Sequence, residues 1–207
     1  MANRARPNQW GTPLTSVEIR PGTVRDVSWI MANLRPGDDE ELRCLMPDGA
    51  STGAVGYYTV MGSRCWVAYW KGKPVAAFGV EPFSLTALNV WALGTQHMHR
   101  VIPAITDFMA LDVVPELIDA GYQIMEARSL ATHEQAHAWM QSTGAEKVPG
   151  AFPYGKGGEE FILFRWTVSG YRSTRGRKSR WNRDRRPRYV HEHVHPESTE
   201  TPPASED

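Results

Sequence analysis

The run from Val90 to Ala145 constrains the fold of this chain more than any other. An apolar strand ends in a tight polar turn at Gly94-Thr95, and a long stretch follows with apolar residues at Ile105, Phe108, Met109, Val113, Leu117 and Ile118. That spacing is helical. Gly121 is a stop signal for it, Ile124 to Leu130 reads as a second strand, and a short helix runs on to Gly144. Strand, turn, long helix, strand and short helix form a single α/β unit, with both strands in one sheet and the long helix over its face. Pro115 must either kink that helix or open a new first turn.

The rest of the chain supplies more strands. Val17-Glu-Ile19 starts the first. Asp26 to Leu34 is helical by the spacing of Val27, Ile30, Met31 and Leu34, and Pro36-Gly37 breaks it. Asp38-Asp-Glu-Glu41 opens a second helix with its acids at the positive end of the dipole. Pro47 to Gly56 reads as a loop. Cys65 to Trp70 and Pro74 to Val80 flank Lys71-Gly72-Lys73, a hairpin signal. Thr132 is the expected N-cap of the helix His133–Thr143. Pro149 to Gly158 reads as a further loop, and Glu159 to Val168 alternates as a closing strand.

Charge divides the chain. The 207 residues balance to zero, yet residues 1–170 carry −3, residues 171–188 carry +8 and residues 189–207 carry −5. The basic block holds Arg172, Arg175, Arg177, Lys178, Arg180, Arg183, Arg185, Arg186 and Arg188 among Tyr171, Trp181 and Tyr189. Guanidinium groups pair with phosphate and rings stack on bases, so this block is read as a salt-sensitive contact to nucleic acid or to an acidic partner. Blocks of like charge belong to tails, which gives an N-terminal arm over 1–15, one domain over 16–169 and a C-terminal tail over 170–207. The alternating His191, His193 and His195 are read as part of the acidic tail rather than as a metal site. No apolar run reaches the ~20 residues that span a bilayer, and no secretory signal is present. The two cysteines, Cys44 and Cys65, are too few for a disulfide framework and are read as reduced thiols.

With these elements in place, the order β-α-α-β-β-β-α-β-α-β resembles the GCN5-related N-acetyltransferase (GNAT) superfamily, and most closely the acetyltransferase-like internal virion proteins of short-tailed phages. The residues that carry the likeness are Val27 to Cys44, with Met31-Ala-Asn-Leu-Arg-Pro-Gly-Asp38 inside it, and Gly157-Gly-Glu-Glu-Phe-Ile-Leu-Phe-Arg-Trp166. The resemblance implies an acyl-CoA fold, a mixed and mostly antiparallel sheet with helices on both faces. It implies acetyl-CoA as cofactor, with the pantetheine arm on the strand of Trp91 and Leu93 and the pyrophosphate on the amides of Gly94, Thr95, Gln96, His97 and Met98, aided by Arg100. Glu81 would deprotonate the acceptor amine through water. Two departures weaken the implied chemistry. The loop lacks the second and third small residues and carries bulky Met98 and His99. Anchored on Gly144, Met140 stands where a tyrosine general acid often stands, and a thioether has no proton to give. The implied function is a phage-encoded protein of impaired or lost transferase activity, residing in the virion or host cytoplasm. The alternative is an active N-acetyltransferase.

One motif competes. His133-Glu134-Gln135-Ala136-His137 spells H-E-x-x-H, which on a helix presents two imidazoles to zinc, with Glu159 or Glu160 as a third ligand. Ala136 and Gly144 fit the acetyltransferase register better, so the histidines are read as helix-surface residues and no metal is expected. Trp66, Trp70, Trp91, Trp139 and Trp166 are read as core packing.

Overall fold

A computed structural model describes residues 17–168. Eight strands, β1 (Val17–Pro21), β2 (Arg64–Trp70), β3 (Lys73–Pro82), β4 (Ala87–Gly94), β5 (Ile124–Leu130), β6 (Glu146–Lys147), β7 (Phe152–Pro153) and β8 (Glu160–Thr167), form one sheet. The order is β1-β2-β3-β4-β5-β8-β6, with β7 also against β8. Strands β1 to β4 pair antiparallel throughout. Lys71 (φ 52°) and Gly72 (φ 74°) make the tight turn between β2 and β3.

Side-chain alternation assigns the two faces. Val67, Tyr69 and Ala77 turn towards α1 (Val24–Met31), α2 (Pro36–Leu45) and α3 (Thr52–Gly62), meeting Val27, Ile30 and Met31. Ala76, Phe78 and Val80 turn the other way, onto Val101, Ile105, Phe108 and Leu117 of the crossover. That crossover is a short 3₁₀ turn (Met98–Arg100), α4 (Ile102–Phe108), a π-helical stretch (Met109–Val113) and α5 (Val114–Asp119). α6 (Glu134–Ser142) covers β5 and β8 through Met140, Ala127 and Phe164.

The seam between β4 and β5 places the site. It is the one parallel pairing in the sheet, and it lasts three residue pairs, Ala87–Ile124, Leu88–Met125 and Asn89–Glu126. Beyond Asn89 the strands part, and Val90 to Gly94 keep a strand partner only in β3. The two strands therefore splay, under a crossover helix on one face.

Pro115 opens a new first turn, that of α5, as the sequence predicts, and the chain widens to π geometry immediately before it, which accommodates the ring against the preceding carbonyls. Three other local expectations change. The segment read as a loop after Pro47 contains α3, capped by the Ser51 hydroxyl accepting from the Ala54 amide at 3.2 Å. Its glycines and threonines hide it, because only Val55 and Val60 turn inward. The N-cap of α6 is His133 rather than Thr132. The segment read as a loop from Pro149 also carries the two-residue strand β7. The basic block, the acidic tail and the N-terminal arm lie outside the described residues.

Candidate functional site

A cavity of about 470 Å³ runs through the splay and reaches both faces of the sheet. On the α1–α3 side its wall includes Arg35, Tyr58, Glu81, Asn89, Trp91 and Arg128; on the α4–α6 side it includes Met98, Met109, Met125, Trp139 and Met140. Trp91, Trp139 and Trp166 all line it, so only Trp66, at 7% exposure, is wholly core. The Trp139 indole donates to the Thr106 hydroxyl at 3.0 Å and ties α6 to α4 across the cavity.

Where the two strands end, α2 bridges them. Asp38 and Glu41 stand three residues apart and so share a helix face. Asp38 accepts from the Gly94 amide at 2.7 Å, and the Gly94 carbonyl accepts from the Arg35 amide at 2.9 Å. Both backbone groups at the end of β4 are thereby engaged. At the end of β5, Glu41 accepts from the Leu130 amide (2.8 Å) and the Ser129 hydroxyl (2.7 Å). His133 sits between the carboxylates, with Nε2 3.3 Å from Asp38 and Nδ1 3.2 Å from Glu41. Arg35 completes the cluster at 2.9 Å from Asp38. Asp38 and His133 are 2% and 8% exposed, so the Arg35–Asp38 ion pair and the His133 contacts lie in a poorly solvated environment and each group depends on its partners. Gly37 makes the packing possible: a Cβ there would lie 2.7 Å from the His133 ring.

The loop expected to hold phosphate is folded in on itself. Thr95 donates to the Val75 carbonyl, Met98 to Thr95, Arg100 to His97 and Val101 to Met98, all at 2.9 Å. The His97 amide reaches the Thr95 hydroxyl at 3.3 Å. Met98 turns into the core at 1% exposure and packs on Gly94, where a Cβ would meet its sulfur at 2.5 Å. The space that glycine leaves is occupied by a side chain of the same loop. Gln96, His97, His99 and Arg100 are exposed, and the ring of Trp70 lies against His97 and beneath the Arg100 guanidinium. Leu93 turns to the α1–α3 face beside Trp91.

The H-E-x-x-H histidines are not surface groups that converge. His133 is buried among carboxylates. His137 is half-buried, and its Nε2 lies 3.0 Å from the Leu130 carbonyl. A carbonyl only accepts, so that nitrogen carries the proton and offers no lone pair to a metal. Burial holds the His137 pKa below its ordinary value. Among the described residues no group of His, Cys, Asp or Glu is placed to hold a metal ion. Both cysteines are free thiols, and burial pushes the Cys65 thiol up to about 12.

At the closed end of the splay, Glu81 pairs in register with Asn89, and Asn89 with Glu126. Glu81 is exposed and lines the cavity. Glu126 is bound twice by Arg165, at 2.8 and 2.5 Å. Arg128 is held loosely, 3.4 Å from the Asn89 carbonyl oxygen and 3.7 Å from Glu126. Of the residues singled out in the sequence, Glu81, Trp91, Leu93 and Met98 line this cavity, whereas Gly94, Thr95, Gln96, His97 and Arg100 are not among its lining residues. Sequence reasoning missed Asp38, Glu41 and Arg128. The first two had a signal: acids at helical spacing i, i+3 on the same face as Leu42 and Leu45.

A mixed, mostly antiparallel sheet with one splayed parallel seam and a crossover helix over it is the fold of the GNAT acetyltransferases. Among solved structures it is shared with a ribosomal-protein-alanine N-acetyltransferase from Brucella melitensis (TM-score 0.55, 15% identity, 72% of this chain and 99% of that one). The aminoglycoside acetyltransferase AAC(6')-Ib in complex with ribostamycin and coenzyme A matches at TM-score 0.59 and 14% identity, over 79% of this chain and 99% of that one. An N-acetyltransferase from Staphylococcus aureus Mu50 matches at 0.56 and 11%, over 74% and 99%. At these identities the likeness is one of fold. Neither a family model nor a curated protein matches the sequence. Among the described residues no helix is long and apolar enough to cross a membrane.

Proposed function

We propose that this chain is a GNAT-fold protein that has lost acetyl transfer and serves as a phage component, in the virion or in contact with the host. The observation that carries the loss is the engagement of the splayed strand ends by Asp38 and Glu41. Coenzyme A offers phosphates, which need free amides and positive charge at such a loop. Here six amides between Gly94 and Val101 donate within the protein, and two carboxylates stand at the same end. The residues present do not fit a pyrophosphate, and Met140 at the cavity wall cannot protonate a departing thiolate. The phage assignment rests on the resemblance of Val27 to Cys44 and Gly157 to Trp166. Contact with nucleic acid or an acidic partner is assigned to the arginine block over 172–188, which lies outside the described residues.

Calorimetry with acetyl-CoA tests the loss. The expected result is no heat at millimolar cofactor and no acyl transfer to amines. Saturable heat with turnover overturns it. Detection of the chain in purified phage particles tests the virion role, and its absence from them leaves only the host contact.

A second reading, an active N-acetyltransferase, draws on the continuity of the cavity across the sheet and on Glu81 and Asn89 at its exposed side. Under it, Glu81 takes the acceptor proton through water. Glu81→Gln would then abolish turnover and leave acetyl-CoA binding unchanged.

A further inference from the structure

Six of the eight methionines in the chain, Met31, Met46, Met98, Met109, Met125 and Met140, line this cavity. Methionine is unbranched and polarisable, and walls made of it adjust to apolar ligands of variable shape. The cavity volume lies in the range of small-molecule sites. Its two halves differ in chemistry. Met98, Met109, Met125 and Met140 occupy the α4–α6 half, where the Trp139–Thr106 bond closes the gap between the helices. The α1–α3 half carries the charges.

Those charges are not all matched. Asp38 and Glu41 are satisfied by Arg35, His133, two amides and the Ser129 hydroxyl. Glu126 is held by Arg165. The Arg128 guanidinium lies over the Tyr154 ring, 5.4 Å from its centre, but its N–H donors keep no strong acceptor, with Asn89 beside it. Arg35 Nε is a buried donor with no partner in the same wall. Glu81 also faces this half, but it is exposed, and water screens its charge.

We infer that the cavity binds an aliphatic carboxylate, with its chain among the methionines of the α4–α6 half and its carboxylate on Arg128 and Asn89. This deepens the proposed loss of coenzyme A binding and rests on it, because the same cavity must be vacant of pantetheine. Burial of a hydrocarbon chain supplies the affinity, and a charge-assisted bond to Arg128 supplies the choice of head group.

Titration calorimetry of the full-length protein with dodecanoate, below its aggregation range, tests the inference. Dodecanoate should bind saturably at one site, and dodecanol about tenfold or more weakly, as expected for one hydrogen bond to a charged group. Arg128→Gln should bring dodecanoate down to the level of dodecanol. Ala136→Phe, which fills the cavity wall on α6, should abolish binding of both. If that variant does not fold, the comparison of acid with alcohol on the unaltered chain still decides. No saturable binding of dodecanoate, uptake at many sites, or equal affinity for acid and alcohol overturns the inference. Dodecanoate failure together with silence towards acetyl-CoA leaves the preceding reading intact. Displacement of bound dodecanoate by coenzyme A overturns that reading and this inference with it.

Discussion

The two sides of the splayed seam are built on opposite principles. On the α1–α3 side, α2 fixes both strand ends with a hydrogen-bonded cluster in which nearly every donor and acceptor is used. On the α4–α6 side, flexible apolar side chains line their half of the cavity of about 470 Å³ that reaches both faces. A buried polar cluster has one good arrangement and fails if one member is lost. A methionine wall has many arrangements of similar energy. The first side holds the splay at a set width; the second leaves room within it.

The largest expected effect comes from breaking the polar side at its centre. Asp38→Ala leaves Arg35 without its counter-charge, the His133 Nε2 without its carboxylate partner and the Gly94 amide without an acceptor. Removal of one partner from a buried cluster costs about 3–5 kcal/mol, and chemical denaturation measures it. A loss below about 1 kcal/mol would mean that water reaches the cluster and that the strand ends are not fixed by it. Glu41→Gln should be milder. The amide oxygen still accepts from Ser129 and Leu130, and only the charge beside His133 is lost, for about 1–2 kcal/mol. If Glu41→Gln costs as much as Asp38→Ala, the charge rather than the geometry of this cluster sets the stability.

The antiparallel half of the sheet was legible from residues alone. Alternation in β2 and β3, the Lys71-Gly72 turn and the crossover pattern from Ile105 to Ile118 are local signals, and local signals survive folding when tertiary contacts agree with them. The helix α3 was not legible, because its inward residues are only Val55 and Val60 and its glycines lower helix propensity. The candidate site was half legible. The loop at Gly94 could be located, and Met98 and Met140 marked as departures. That Met98 would fold back onto Gly94 could not be read, since it depends on a contact within the turn. The bridging cluster depends on three segments distant in sequence, around Asp38, Gly94 and Leu130, and no periodicity joins them. The reading of Asp38 to Glu41 as acids at a helix start was true of the local chain and missed their second role.

On the apolar side the expected effects are smaller. Thr106→Val removes the acceptor of the Trp139 indole and nothing else of size. The expected loss is about 1 kcal/mol, with increased solvent quenching of tryptophan fluorescence as α4 and α6 separate. If stability falls as far as in Asp38→Ala, the two sides are one cooperative unit and the contrast between them does not hold.

The smallest effect is a pH dependence at the junction of the two sides. His137 packs its ring on Phe164 and donates through Nε2 to the Leu130 carbonyl, on the same residue whose amide Glu41 holds. Burial lowers its pKa, chiefly by desolvation and against the opposing hydrogen bond to Leu130. The unfolded chain therefore takes up a proton at higher pH than the folded protein does. Stability from the neutral ring is fully present above the unfolded value of about 6.5 and declines as pH falls from there through the lower folded value. His137→Gln keeps a donor for the Leu130 carbonyl but does not titrate. Denaturation curves at pH 7.5 and pH 5 should show a smaller loss on acidification for the variant than for the unaltered chain. His133 and its carboxylates are present in both proteins, so the difference between the curves isolates His137. An equal or larger loss in the variant would mean that His137 takes its proton as readily folded as unfolded, and that the end of β5 is open to water.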